Sequence, residues 1–238
     1  MVTEAIILAG GFGTRLQTVV NDVPKPMAPV DGQPFLNYVL MYLKHYGIKH
    51  VVLSTGYLAH KISAYYNDGY EGMRVSYAIE ETPLGTGGGI RLAMQQCETK
   101  DILVLNGDSF FDVNLNTYFA QYQGFGSHGA LALRRVENAS RYGTIIQGNE
   151  QRIAAFKEKD SVDKPGLING GVYLLNKEMF MVSTPAAKAF SIEKDFFETG
   201  LSTITLCGFE HDGYFIDIGI PEDYHKAQED FKNFRYTE

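Results

Sequence analysis

The chain has 238 residues, 45% of them hydrophobic, which is enough to bury a sizeable core and excludes a disordered protein. Its formal net charge is −7, and its acidic and basic residues are interspersed with no long basic block. That pattern excludes a nucleic-acid-binding surface and leaves any anionic ligand to a few local cations.

The first predicted strand is the apolar run Ala5 to Ala9, which is too short for a signal-peptide core and carries no basic flank. A helix follows, with Phe35, Leu36, Val39, Leu40 and Leu43 at three- and four-residue spacing and Gly47 as its stop. Val51 to Leu53, Val75 to Ile79 and Ile102 to Leu105 read as further strands, short and aliphatic as strands buried on both faces should be. Strand and helix alternating in this way predict right-handed crossovers, a mainly parallel sheet and ligands at the carboxyl ends of its strands. In the second half, Ala130 to Leu133, Gly143 to Ile146, Ile153 to Phe156 and Leu167 to Leu175 read as antiparallel additions to the same sheet. A last helix is expected from Pro221, with acids in its first turn and Tyr224, Ala227 and Phe231 on its apolar face. No linker, repeat or low-complexity segment divides the chain, so residues 1–238 are expected to be one α/β domain, 1–110 forming one half and 111–238 the other. Cys97 and Cys207 match no zinc spacing and read as buried thiols, with a bridge between them left open. No run approaches the roughly 20 apolar residues of a membrane span, and the expected location is the cytoplasm.

The first strand runs into LAGGFGTRL, where Gly10, Gly11 and Gly13 would let backbone N–H groups converge on a phosphate through positive φ and bare backbone. A dinucleotide fingerprint would need glycine where Leu16 stands, and a P-loop would need Gly-Lys-Ser/Thr, so both drop out. The plain alternative is a glycine-rich turn. Arg15 favours the cradle, because a guanidinium fork suits phosphate oxygens. Pro24-Lys25-Pro26 would hold a second cation on an extended stretch. Together these suggest a polyphosphate, which in turn asks for Mg²⁺ on carboxylates at strand ends. Asp108 closes the strand of LNGD and Asp217 that of FIDIG; each alone reads as a turn Asp, and the pair on one rim reads as a metal site. Glu80, Glu81, Asp112, Asp195 and Asp212 are weaker candidates.

LAGGFGTRL, PKPM, PLGTGGGI, LNGD, FKEK, INGGVY and FIDIG stand here in the order in which they occur in the sugar-1-phosphate nucleotidylyltransferases, and the chain resembles that family nearly end to end. RYGT, LINGGVYLL and YFIDIGIPEDY are most similar to its D-glycero-α-D-manno-heptose 1-phosphate guanylyltransferases. The resemblance implies a Rossmann-like, mainly parallel or mixed central sheet flanked by helices, without the C-terminal left-handed β-helix of many relatives. It further implies GTP and a sugar 1-phosphate as substrates, Mg²⁺ as cofactor, a role in cell-surface polysaccharide synthesis, no nucleic-acid or membrane partner, and room for a homo-oligomer. Carried over by residue, Leu8, Gly10, Gly11, Gly13, Thr14, Glu80, Pro83, Gly85 and Thr86 would hold the nucleotide. Arg15 would grip the leaving pyrophosphate, Lys25 the α-phosphate, and Asp108 and Asp217 the Mg²⁺. Lys159 would take the sugar phosphate, with Gly143, Glu158 and Asn169 around the sugar. Two departures are modest: Asp160 follows Glu158-Lys159 where the family has proline, and Tyr214-Phe215 replaces a tryptophan.

Glu80 offers a physical argument about the base. A carboxylate accepts from the ring N–H and amino group of guanine together, whereas glutamine suits the N–H and carbonyl of uracil or thymine. Its plain alternative is a solvated glutamate at a strand end. Mannose 1-phosphate with GTP, or a hexose 1-phosphate with UTP, dTTP or CTP, are the alternative substrates, and a silent nucleotide-sugar sensor is the rival outside enzymes. None of the six histidines lies in an HExxH pair and no G-x-S-x-G elbow is present, so other hydrolytic chemistry finds no support.

Overall fold

A computed structural model of the chain describes residues 2–11, 16, 20, 22–159, 162–186 and 188–236. In chain order the strands are β1 (Glu4–Leu8), β2 (Pro29–Val30), β3 (Gln33–Pro34), β4 (His50–Thr55), β5 (Gly69–Tyr70), β6 (Met73–Ile79), β7 (Asp101–Asn106), β8 (Ser109–Phe111) and β9 (Gly129–Val136). They continue with β10 (Thr144–Gln147), β11 (Ile153–Lys157), β12 (Gly166–Asn176), β13 (Leu206–Glu210) and β14 (Phe215–Asp217). The α-helices are α1 (Phe35–His45), α2 (Ala59–Tyr66), α3 (Gly85–Met94), α4 (Leu115–Phe125), α5 (Lys177–Ser183) and α6 (Pro221–Asp230), and residues Ile192–Glu198 form a π-helical segment.

Among the described residues, ten strands form one mixed sheet whose path runs β11-β10-β12-β7-β1-β4-β6-β5, with β9 on β12 and β13 on β9. β7, β1, β4 and β6 are parallel, as their aliphatic runs predict. The additions are antiparallel, as expected, except that β13 runs parallel to β9. Successive side chains on the central strands go to opposite faces. Ala5, Ile7, Val51, Leu53, Leu103 and Leu105 join α1, α4 and α6 in one core, and Ile6, Val52, Ile102 and Val104 join α3, α5 and the π-helical segment in the other. The continuous apolar runs are therefore strands covered on both sides.

β12 explains the motif INGG. Its first residues border β10, and from Val172 onward the same edge borders β7, with the register against β9 broken between Asn169 and Tyr173. Gly171 takes φ +74° there, and a Cβ on Gly170 would lie 2.3 Å from the Phe111 ring. These glycines let one strand pass from the antiparallel lobe into the central sheet. α3 ends at Met94, and Cys97 is buried beyond it; Cys97 and Cys207 are both free thiols. Among the described residues no helix is long and apolar enough to cross a membrane.

Candidate active site

The carboxyl ends of β1, β4, β6 and β7 meet at a cavity of about 480 Å³, lined by Leu8, Gly10, Gly11, Lys25, Glu80, Pro83, Gly85, Thr86, Asp108 and Asp217 of the expected residues. Ala9, Pro26, Asn106, Glu193 and Gly219 complete the lining. The rim is held by backbone bonds between strand ends: Ala9 N donates to Ser54 O at 2.7 Å and Gly107 N to Leu8 O at 2.9 Å. A Cβ on Gly107 would lie 2.5 Å from Leu8 O, so LNGD needs its glycine for the approach of β1.

Two expectations about the loops are corrected. Gly10 and Gly11 do not adopt positive φ. Gly10 is bare because a Cβ there would come within 3.1 Å of Glu80 Oε1, and among the described residues nothing lies within 4 Å of a Cβ on Gly11. Pro24 is extended, but Lys25 and Pro26 are not: Lys25–Met27 is a single 3-10 turn closed by Met27 N donating to Pro24 O at 2.7 Å. The fixed φ of Pro26 suits that turn as well as it suits an extended strand. Gly13, Thr14 and Arg15 lie outside the described residues.

β14 pairs antiparallel with β8, placing Asp217 opposite Ser109, one residue from Asp108. The Lys25 ammonium lies between the two carboxylates, 2.6 Å from Asp108 Oδ2 and 3.7 Å from Asp217 Oδ1, with its own side chain 13% exposed. Burial and then the Asp108 charge push the Asp217 carboxyl up, opposed by Lys25, the Gly219 N–H and Arg141. Gly219 N donates to Asp217 Oδ1 at 2.7 Å, and a Cβ on Gly219 would lie 2.7 Å from both that oxygen and Lys25 Nζ. Two oxygen-donor carboxylates that already accommodate a cation fit a magnesium ion, which binds through one or two carboxylates and completes its shell with water and phosphate. Among the described residues no group of three or more potential ligands exists.

Glu80 is not the solvated glutamate of the plain reading. Ser54 Oγ donates to its Oε1 at 3.2 Å and Leu84 N to its Oε2 at 2.8 Å. The glycines of PLGTGGGI make room around it and around the 190s segment. A Cβ on Gly89 would lie 2.7 Å from Glu80 Oε1, and one on Gly87 2.1 Å from the Phe190 ring. Gly85 has φ +69° and faces Phe190 O.

The expected sugar residues stand apart from this cavity. Glu158 lines a smaller cleft of about 150 Å³ with Tyr142, Thr144 and Lys157, Gly143 packs near Lys157 O, and Lys159 is exposed. The Asn169 side chain bonds across the break in β12: Nδ2 donates to Tyr173 Oη at 2.8 Å and Oδ1 accepts from Gly171 N at 2.9 Å. Of the weaker candidates, Asp112 accepts from Arg235 and Tyr236, Asp195 caps Ser191 N, and Glu81 and Asp212 are exposed. Two of the sequence motifs meet directly, since Arg141 of RYGT donates to Asp223 of PEDY at 2.8 Å. Asn106 and Glu193 were missed by sequence reasoning; Asn106 sat inside a quoted motif, and Glu193 has no local signal at all.

Residues 4–233 match the nucleotidyl transferase family, and the chain belongs to it. It is 45% identical over 231 residues to the D-glycero-alpha-D-manno-heptose 1-phosphate guanylyltransferase of Aneurinibacillus thermoaerophilus, covering 97% of this chain and 99% of that one. The enzyme of the same name from Campylobacter jejuni is 41% identical, over 93% of this chain and 97% of that one. The crystal structure of HddC from Yersinia pseudotuberculosis complexed with GMP-PN superposes with a TM-score of 0.85 at 35% identity, covering 97% of this chain and 100% of that one.

Proposed function

We propose that this chain joins D-glycero-α-D-manno-heptose 1-phosphate to GTP, releasing pyrophosphate and forming the GDP-sugar. The observation that carries the reading is the Lys25 ammonium set between Asp108 and Asp217 on the rim of the cavity that also holds Glu80. The names of the two relatives and the GMP-PN in the HddC crystal support the choice of nucleotide and sugar.

A sugar 1-phosphate is already a dianion near neutral pH and needs no covalent residue to attack the α-phosphorus in line. Positioning and charge neutralisation then carry the rate. Lys25 holds the α-phosphate, and on the family resemblance Arg15 takes the departing pyrophosphate and Lys159 the sugar phosphate. Asp108 and Asp217 would hold Mg²⁺, which when bound supplies positive charge to the phosphate oxygens. Glu80 keeps acceptor capacity beyond its two protein bonds, because a carboxylate has about four lone-pair sites, and directs it at the two donors of guanine. The protein works without membrane or nucleic-acid partners, in the cytoplasm.

The test is a matrix of GTP, UTP, dTTP, CTP and ATP against heptose and hexose 1-phosphates, scored by pyrophosphate release. GTP with the heptose is expected to lead. Preference for a pyrimidine nucleotide or for mannose 1-phosphate would replace the substrates and leave the chemistry. Nucleotide-sugar binding with no release from any pair would replace the enzyme with a sensor.

A further inference from the structure

The cavity has two walls that belong to opposite faces of the sheet. Lys25, Asp108 and Asp217 stand with β8, β14 and the α1 core, whereas Thr86 and Glu193 stand with α3, the π-helical segment and the other core. Glu193 is fixed there. Its Oε2 accepts from Thr86 Oγ1 at 3.0 Å and from Ser191 Oγ at 2.8 Å, and Thr86 Oγ1 in turn accepts from Ile192 N at 2.9 Å. Among the described residues Oε1 has no hydrogen-bond partner, and Glu193 lines the cavity.

A carboxylate accepts and never donates, and a fully ionised phosphate offers it no proton and repels it. The ligand part beside Glu193 must therefore be neutral and carry donors. Both the base and the sugar qualify, and the surroundings decide between them. Glu80, with Gly10 and Ser54, lies over the ends of β1 and β4. The segment of Glu193 instead sits on β11 and β12, where Phe197 stacks on Phe156 at 6.1 Å and meets Tyr173 at 5.2 Å. Burial and then the Glu193 charge push the Tyr173 phenol up, and that phenol accepts from Asn169. The next residue, Lys194, lies 3.6 Å from Glu158. Glu193 thus borders the half of the molecule that carries Asn169 and Glu158.

We infer that Glu193, clamped by Thr86 and Ser191, accepts hydrogen bonds from hydroxyl groups of the sugar 1-phosphate and so sets which sugar the site takes. The inference rests on the nucleotidyl-transfer reading above. Thr86 and Ser191 are positioning residues that hold one oxygen and aim the other.

The experiment compares wild type, Glu193→Gln, Thr86→Val and Thr86→Ser in pyrophosphate release, and follows GTP binding and the unfolding temperature separately by calorimetry. Glu193→Gln is expected to lower kcat/KM for the sugar 1-phosphate about 10- to 100-fold through KM, with GTP affinity and unfolding temperature unchanged. It should also lose the wild type's preference for the full sugar over the monodeoxy 1-phosphate lacking the contacted hydroxyl. Thr86→Val should reproduce part of the loss, and Thr86→Ser should restore it. A Glu193→Gln protein that weakens GTP while sparing the sugar would overturn the inference and assign the residue to the base. Unchanged sugar KM would overturn it too. Wild type that releases no pyrophosphate from any sugar 1-phosphate would bring down the underlying reading and the inference with it.

Discussion

Lys25 Nζ lies 2.6 Å from Asp108 Oδ2, a contact between residues 83 positions apart that places a cation where two carboxylates converge. Removing the amine leaves Asp108 and Asp217 facing each other with nothing between them. Lys25→Met should reduce kcat about 10²- to 10³-fold. It should also make the unfolding temperature more dependent on added Mg²⁺ than that of wild type. Turnover within threefold of wild type would show that the lysine is not needed for the phosphate.

Asp217 is held in a conformation that costs stability when charged, since burial and the Asp108 charge raise its carboxyl pKa. Asp217→Asn keeps the shape and the bond from the Gly219 N–H. The variant is expected to unfold at the same or a higher temperature than wild type at neutral pH while losing at least ~100-fold in kcat. A parallel loss of both would mean the residue is structural.

Glu80→Gln tests the base. The glutamine retains one acceptor for the Leu84 N–H and turns a donor toward the donors of guanine. kcat/KM for GTP should fall roughly 10- to 100-fold, with UTP or dTTP gaining relative to it. An unaltered ratio of GTP to UTP would remove Glu80 from base recognition.

Far from the cavity, at the amino ends of the strands, Glu4 and His50 form a buried pair at 2.9 Å. Burial alone would raise the Glu4 carboxyl, but bonds from His50 and from the Thr99 and Glu98 N–H groups bring it from 4.5 down to about 2. A lowered folded-state value means stability that is fully present above pH 4.5 and lost as the pH falls toward 2. The drop corresponds to roughly 3–4 kcal/mol as an upper bound. Denaturant unfolding of wild type and Glu4→Gln between pH 2 and 6 should show a gap that closes with acid. A constant gap would contradict the assignment.

Gly87 has no room for a methyl group, because its Cβ would stand 2.1 Å from the Phe190 ring. Gly87→Ala should destabilise by about 1–3 kcal/mol and impair sugar use through the displaced 190s segment. Adding Phe190→Leu should recover part of the unfolding temperature. Full stability in the single variant would mean the segment shifts freely.

What the sequence made legible was governed by local pattern. Ile6, Val52 and Val104 announce doubly covered strands, and Asp108 and Asp217 announce themselves by ending them. The 3-10 turn at Lys25 was hidden because proline restricts φ without choosing between extended and turned ψ. The glycines of α3 serve partners their own pattern does not name: Gly87 a ring 103 positions away at Phe190, Gly89 the carboxylate of Glu80. Asn169 is placed at the sugar by resemblance alone, and no local pattern foretells the register break in β12 across which its amide bonds Tyr173 and Gly171. Glu193 carries no local signal, since its partner Thr86 is 107 positions distant.

The short ladder of β8 and β14 also sets a timetable. It joins Ser109 to Asp217, and Asp112 just beyond it is tied by Arg235 and Tyr236. A ribosome adding about 5–20 residues per second needs on the order of 10 s to travel from Asp108 to Asp217. Through that interval the nascent chain carries Asp108 and β8 without the strand that sets Asp217 beside them, so the paired carboxylates are among the last features of the rim to be assembled.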